Sequence, residues 1–441
     1  MRRNAPPRAR LRARLFRRAG ACESSVGVNM RHCVATLLLA LPIACSDDAS
    51  GLPATTSDLD STSAAADSGS STTTPDADTS TGATEPPPRP EYETWLKVEL
   101  DGMLCGNGTQ YKFFVNYVEG SDDLMVLLEP GGGCWDFDSC SGKKGVLGAA
   151  NPDGIPDDHM ESLIGVHTPL LNRSLDENPV RDWNMVFVPY CTGDVHTGNA
   201  VETYADPLGL EPDLEYHHSG HANVQAITGW IDEQFPTIPR LFVAGCSAGG
   251  AGSLANYWFL RSGTNSQRGY LLDDSGPIFP NSENSKPLHD TIRESWNIDS
   301  ILETVPQFSE LGEDFGVINT LLADAFPDDR LATTFFRRDY NFARYSYERF
   351  FPGITKEEIH ARWWEDTQSL MAQYDAVDNL AYFIPYWRYA NSSHCTIILT
   401  WEGTEIQEAG GVHVGDFITT LLDDEAPLVS YVESPQPGED E

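Results

Sequence analysis

Positive charge is what this chain has least of. Its 441 residues hold 29 Lys and Arg against 66 Asp and Glu, and nine of the arginines crowd into residues 1–44 beside a single acid, Glu23. The rest of the chain, with 20 basic and 65 acidic residues, carries a net charge of −45. Such a surface does not bind nucleic acid by neutralising phosphates. It also repels polyanionic substrates unless salt screens the encounter. No C-x-x-C pair is present and no clustered histidines accompany the cysteines, which argues against a zinc site. No internal repeat is visible. After residue 44 no apolar run is long enough to span a bilayer.

What the chain does have begins with an export signal. Arg2, Arg3, Arg8, Arg10, Arg12, Arg14, Arg17 and Arg18 form a basic leader, and Val34 to Ala44 is an apolar stretch of signal-peptide length. It ends at Cys45, followed by Ser46-Asp47-Asp48. This resembles a bacterial lipoprotein signal, in which Cys45 is lipidated and attaches the protein to a membrane. Pro42 stands where an aliphatic residue is usual, and an ordinary secretory signal cut nearby is the alternative. Met30, followed by Arg31, reads as a plausible true start. Residues 1–45 are therefore a signal. Residues 46–92, rich in Ser, Thr, Asp, Ala and Pro, have almost nothing to bury and read as a disordered spacer. Residues 93–441 are the folded domain. Its six cysteines, Cys105, Cys134, Cys140, Cys191, Cys246 and Cys395, are an even count in an exported chain and point to disulfides. Cys134 and Cys140 are close enough to pin one loop; the other four leave three pairings open.

The domain is organised around Arg240 to Ser253. The apolar run Leu241–Ala244 meets Gly245-Cys246-Ser247-Ala248-Gly249, a G-x-S-x-G directly after a strand and before a helix rich in small residues. In a nucleophile elbow the serine sits on a sharp strand-to-helix turn, with its Oγ exposed above the sheet. Glycines on either side let strand and helix approach closely, and the amide of Ala248 faces an anion formed during acyl transfer. The alternative is a glycine-rich turn whose serine merely caps the helix. Around it, strands are expected at 95–100, 110–118, 123–129, 183–189, 241–244, 269–273, 331–336 and 381–385, with helices at 221–234 and from the elbow to about Arg261. Strands alternating with helices predict an α/β fold, α/β-hydrolase-like, with a mainly parallel central sheet flanked by helices. Functional groups then collect at the carboxyl ends of the strands.

A serine nucleophile needs a base, usually His held by a carboxylate, and in the elbow fold the order is Ser, acid, His. Four histidines follow Ser247: His289, His360, His394 and His413. His394, in a polar loop after the apolar 382–386, is the leading base, and His413 is the second choice. His289 and His360 lie in polar, helical segments and read as surface residues. Asp339, in the loop after the strand 331–336, is the leading acid, with Asp273 and Asp274 as rivals. Gly131-Gly132-Gly133, after the strand 123–129, is of the kind that lipases and esterases use to bring bare amides to an oxyanion. Trp135, Trp363 and Trp364 are candidates for stacking on sugar rings.

With these residues in hand the chain resembles the pectin acetylesterase and Notum family. The resemblance rests on Glu129-Pro-Gly-Gly-Gly-Cys-Trp135, on Tyr190-Cys-Thr-Gly-Asp194 with His196, Gly198 and Asn199, on Gly245-Cys-Ser-Ala-Gly-Gly250 and on Ser393-His394-Cys395. In plant members Trp precedes Cys, whereas here Cys134 precedes Trp135. The resemblance implies a secreted serine carboxylester hydrolase with no metal and no organic cofactor. Ser247, His394 and Asp339 would be its triad, and Gly131, Gly132 and Ala248 its oxyanion donors. Its partner would be an acetylated polysaccharide or another ester, with no nucleic acid. The alternatives are a lipid- or protein-deacylating esterase of the Notum type and a non-catalytic surface lipoprotein that binds glycans.

Overall fold

The computed structural model describes residues 92–143, 147–161, 168–280 and 283–435. The expected signal, Cys45 and nearly all of the spacer lie outside the described residues. Among the described residues eleven strands follow one another: β1 (Trp95–Val98), β2 (Phe113–Asn116), β3 (Leu124–Leu128), β4 (Asn184–Val188), β5 (Ala200–Tyr204), β6 (Leu214–His218), β7 (Ile238–Cys246), β8 (Ser266–Asp274), β9 (Arg330–Thr334), β10 (Leu380–Ile384) and β11 (Tyr431–Val432). Nine form one sheet in the order β1-β2-β4-β3-β7-β8-β9-β10-β11, and β5 and β6 pair as a separate antiparallel hairpin. Within the large sheet β2 is antiparallel to both of its neighbours, and every pairing from β4 to β11 is parallel. This is the α/β-hydrolase-like architecture expected from the alternation of strands and helices.

The central strands carry near-continuous apolar runs because both of their faces are covered. Leu-Met-Val-Leu-Leu of β3 and Leu-Ala-Tyr-Phe-Ile of β10 are buried at every position, as expected of a parallel sheet sandwiched between helices. The helix Ala248–Ser262 packs on β3, β7 and β8, and the helix Lys356–Tyr374 packs on β10. The latter starts in a capping box: Thr355 Oγ1 accepts from the amide of Glu358, and the Glu358 carboxylate accepts from the amide of Thr355.

The predicted elements appear within a few residues of their expected ends. The β5–β6 hairpin and the two-residue β11 carry too little apolar pattern to be read from the sequence. Among the described residues no helix is long and apolar enough to cross a membrane. The described cysteines close three disulfides: Cys134–Cys140 as expected, with Cys105–Cys191 and Cys246–Cys395 resolving the remaining choice.

The elbow glycines act through close approach. A Cβ on Gly245 would collide with the carbonyl of Gly249, one on Gly249 with the carbonyl of Leu128, and one on Gly250 with the carbonyl of Asp274. The left-handed conformation falls on Ser247 itself, with φ 56° and ψ −119°. Gly249→Ala is therefore expected to lose about 2 kcal/mol or more of stability, because backbone has to move. A urea midpoint equal to that of the unaltered chain would show that the helix can lift away without penalty.

Candidate active site

Ser247 tops β7, and its amide donates to the carbonyl of Asp274 at the end of β8 (2.7 Å), which anchors the turn to the neighbouring strand. The glycine loop leaves β3 beside it. Glu129, buried, anchors that loop: its carboxylate accepts from the amide of Tyr190 (2.7 Å) and from Asn151 Nδ2 (2.7 Å), and lies 3.0 Å from His159 Nε2. Tyr190 Oη donates to the carbonyl of Gly132 (2.9 Å). Gly132 has φ 83°, and a Cβ there would run into the carbonyl of Leu147. The amides of Gly133 and Cys134 are engaged by the carbonyls of Leu147 and Gly193. Among the described residues, no acceptor takes the amides of Gly131, Gly132 or Ala248. All three residues line the cavity that Ser247 also lines.

His394 enters from the opposite side. Its Nδ1 lies 2.8 Å from Asp339 Oδ2. Asp339 is fully buried and caps the helix Tyr340–Tyr347, its Oδ1 accepting from the amide of Phe342 at 3.0 Å. Both carboxylate oxygens are thus held, one by a helix N-terminus and one by the imidazole. Burial pulls the pKa of His394 down, but the charge and hydrogen bond of Asp339 outweigh it, so the net shift is upward.

The rival acids do other work. Asp274 accepts from the amides of Thr396 (2.9 Å) and Ile397 (3.0 Å), and from the hydroxyls of Ser275 and Thr396. It secures the loop that carries His394 but makes no hydrogen bond to the imidazole. Asp273 accepts from the amide of Gly276 and from Thr333 Oγ1. His413 caps the helix Val414–Leu421, accepting from the amide of Asp416.

Three expectations need correction. His289 is half-buried and lines the cavity, and His360 is buried against Tyr340, so neither is a surface residue. Trp363 is fully buried, packed edge-on against Phe279 and Phe335, and cannot stack on a sugar. Trp364 is covered by the guanidinium of Arg337. Trp135 alone of the three lines the cavity.

That cavity, about 860 Å³, is the feature the sequence did not reveal. Ser247, Ala251, Ala255 and Phe259 line it in one row along the elbow helix. At about 1.5 Å rise per residue the row extends ~18 Å from the serine. Ile292, Trp296, Ile301, Phe308 and Phe315 also line it. A four-residue spacing of small side chains was the only signal, and it is equally a signal of close packing. Among the described residues, His/Cys/Asp/Glu groups with metal-ligand spacing are Cys134/Cys140/His218 and Cys246/His394/Cys395, whose sulfurs are paired as disulfides.

Comparison with known proteins supports the grouping of motifs. The pectinacetylesterase family model matches residues 94–307, a stretch that includes the glycine loop and the elbow; Asp339 and His394 lie beyond it. The chain is 28% identical over 165 residues to the palmitoleoyl-protein carboxylesterase notum2 of Xenopus laevis, covering 35% of this chain and 29% of that protein. It is 29% identical over 168 residues to pectin acetylesterase 4 of Arabidopsis thaliana, covering 37% of this chain and 36% of that one. The matched stretch thus spans about a third of each relative's length. The solved structure of the Wnt deacylase Notum from Drosophila superposes with a TM-score of 0.50 at 16% identity, over 74% of this chain and 92% of that one. The fold is that of an α/β hydrolase. Residues 94–307 match the pectinacetylesterase family, and the chain is similar to pectin acetylesterases and Notum proteins.

The buried groups predict how stability depends on pH. Burial and the adjacent Asp274 raise the pKa of Asp273 from 3.8 to about 8. A raised acid stabilises the folded chain at low pH, and that contribution is lost as pH rises through the folded value. His196, His218, His221 and His289 act oppositely: burial lowers each from 6.5 to about 4, so their contribution is lost as pH falls below 6.5. Above pH 6.5 the acid side dominates. Urea midpoints are expected to fall between about pH 6.5 and 8, and Asp273→Asn to flatten that decline. Parallel profiles for the two proteins would remove Asp273 as the cause.

Proposed function

We propose that this protein is an exported serine carboxylester hydrolase whose substrate carries a long apolar acyl chain. One observation carries the reading: His394, paired with the buried Asp339, lines the same cavity as Ser247 and the free amides of Gly131, Gly132 and Ala248. Ser247 Oγ attacks the ester carbonyl while His394 accepts its proton, and Asp339 holds the imidazole in the tautomer that can accept. The carbonyl oxygen takes negative charge against the three amides. The tetrahedral intermediate collapses, the C–O bond to the leaving alcohol breaks, and His394 returns the proton to that oxygen. Water, deprotonated by His394, then releases the acid from Ser247.

The acyl chain is argued from the cavity. An acetyl group would fill a small corner of it, whereas a chain esterified to Ser247 can lie along Ala251 and Ala255 toward Phe259. This moves the reading from the acetylated polysaccharide that the family resemblance implied toward a fatty acyl ester. The net charge of −45 over residues 45–441 points the same way, since it disfavours a polyanionic sugar chain. Three disulfides fit an oxidising compartment. Lipidation at Cys45, with a spacer that lets the domain stand off the membrane, remains part of the proposal.

Hydrolysis of 4-nitrophenyl acetate, butyrate, laurate and palmitate tests it. Ser247→Ala is expected to lower kcat by about 10⁴-fold or more on every ester, and Asp339→Asn by about 10²–10⁴-fold. Activity near that of the unaltered chain in Ser247→Ala would end the assignment. kcat/KM is expected to rise from acetate to laurate, and Ala255→Phe to remove that preference while leaving acetate turnover in place. A preference for acetate that Ala255→Phe leaves unchanged would return the substrate to an acetylated polysaccharide. Activity is also expected to fall as pH drops through the raised pKa of His394, because the base must be neutral to accept a proton.

A further inference from the structure

We propose that reducing the Cys246–Cys395 disulfide turns the triad's own surroundings into a Cys2His site for a soft divalent cation such as Zn²⁺, which captures His394 and silences the enzyme. The silencing clause rests on the esterase reading above; the metal site does not.

The disulfide joins the residue before Ser247 to the residue after His394. The ligand atoms of Cys246, His394 and Cys395 all lie within 4.8 Å of one another. In a tetrahedral zinc site, with Zn–S about 2.3 Å and Zn–N about 2.0 Å, ligand atoms stand roughly 3.5–3.8 Å apart. Once reduced, the two sulfurs must move apart from bonding distance by side-chain rotation, and the three groups can then share one ion. Thiolate with imidazole is the ligand set that soft and borderline metals prefer. Three protein ligands leave a fourth position open, and His394 and Cys395 line the cavity, which supplies the path of entry. Asp339 on His394 Nδ1 is the kind of outer partner that metal-bound imidazoles keep.

The frame does not depend on the disulfide. Cys246 ends β7 and is in register with Asp274 of β8. On the other side the amide of Cys395 donates to Ser275 Oγ at 3.0 Å, and those of Thr396 and Ile397 donate to Asp274. Both cysteines stay in place when the S–S bond is broken. The similar group Cys134/Cys140/His218 lacks the same capacity. His218 Nδ1 lies 3.1 Å from the carbonyl of Thr192 and its Nε2 lies 2.8 Å from Tyr204 Oη, so both ring nitrogens are engaged.

The chemistry balances. Two electrons and two protons convert the disulfide into two thiols. A water-soluble phosphine supplies the electrons, and becomes a phosphine oxide with oxygen taken from water. Binding Zn²⁺ then releases the two thiol protons to solvent. One imidazole cannot serve the metal and the serine together. A metal on Nε2 blocks proton transfer, and a metal on Nδ1 displaces Asp339. The triad would thus be silent in a reducing compartment and freed when the disulfide closes.

The test uses the purified chain, oxidised or reduced anaerobically with phosphine, and 4-nitrophenyl butyrate as substrate. Zinc is expected to leave the oxidised enzyme's rate unchanged and to abolish turnover by the reduced enzyme, with EDTA restoring it. Cobalt(II) added to the reduced chain is expected to give thiolate charge-transfer and tetrahedral ligand-field absorption. The double variant Cys246→Ser, Cys395→Ser is expected to lack that absorption. Equal zinc inhibition of oxidised and reduced enzyme, no cobalt absorption on reduction, or absorption that persists in the double variant would each overturn the proposal. Loss of near-ultraviolet circular dichroism on reduction would also overturn it, because the site needs a folded frame. If no ester is turned over in a Ser247-dependent way, the esterase reading fails, while the cobalt spectra still decide the metal site.

Discussion

The structure depends on one close crossing, where the start of the elbow helix lies against the ends of β3, β7 and β8. Gly245, Gly249 and Gly250 let backbone meet backbone there, at separations that no Cβ could share. The crossing does two things at once. It forces Ser247 into the left-handed region, a conformation that persists only when its surroundings over-determine it. It also sets the helix N-terminus beside the last residue of β3, from which the glycine loop departs. Ser247 and the glycine loop are therefore neighbours because of a single packing contact.

The loops above the sheet are gathered by buried carboxylates. Glu129 accepts from the amide of Tyr190, Asp194 from that of Gly220, Asp274 from those of Thr396 and Ile397, and Asp339 from that of Phe342. A carboxylate is expensive to bury unless hydrogen bonds replace its water. Each of these acids recovers that loss by ordering a loop, which is why an irregular segment can hold a functional geometry. The acidic surface is a separate matter: it governs solubility and which partners are repelled, and it has no part in the fold.

The cavity shows how one helix serves two ends. Its buried face seals the sheet, while its row of Ala251, Ala255 and Phe259 forms one wall of the space beside the serine. Small side chains at four-residue spacing are good for tight packing. Where the facing segments stand off, the same spacing leaves room for a ligand.

Local signals were enough for much of this. The apolar strands, the elbow glycines, the Ser247 turn, the glycine loop and the short Cys134–Cys140 bridge each draw on neighbours within a few residues, so their chemistry was legible along the chain. The Asp339–His394 pairing was not legible, because Asp339, Asp273 and Asp274 all follow strands and differ in nothing local. The choice came from the path of the chain across β8, β9 and β10, which turns Asp339 toward His394 and Asp274 toward the backbone of Thr396. The partners of Cys246 and Cys105, the burial of Trp363 and His360, and the depth of the cavity are likewise facts of tertiary packing. They depend on which distant segments face each other across the sheet, and a side chain carries no local record of that.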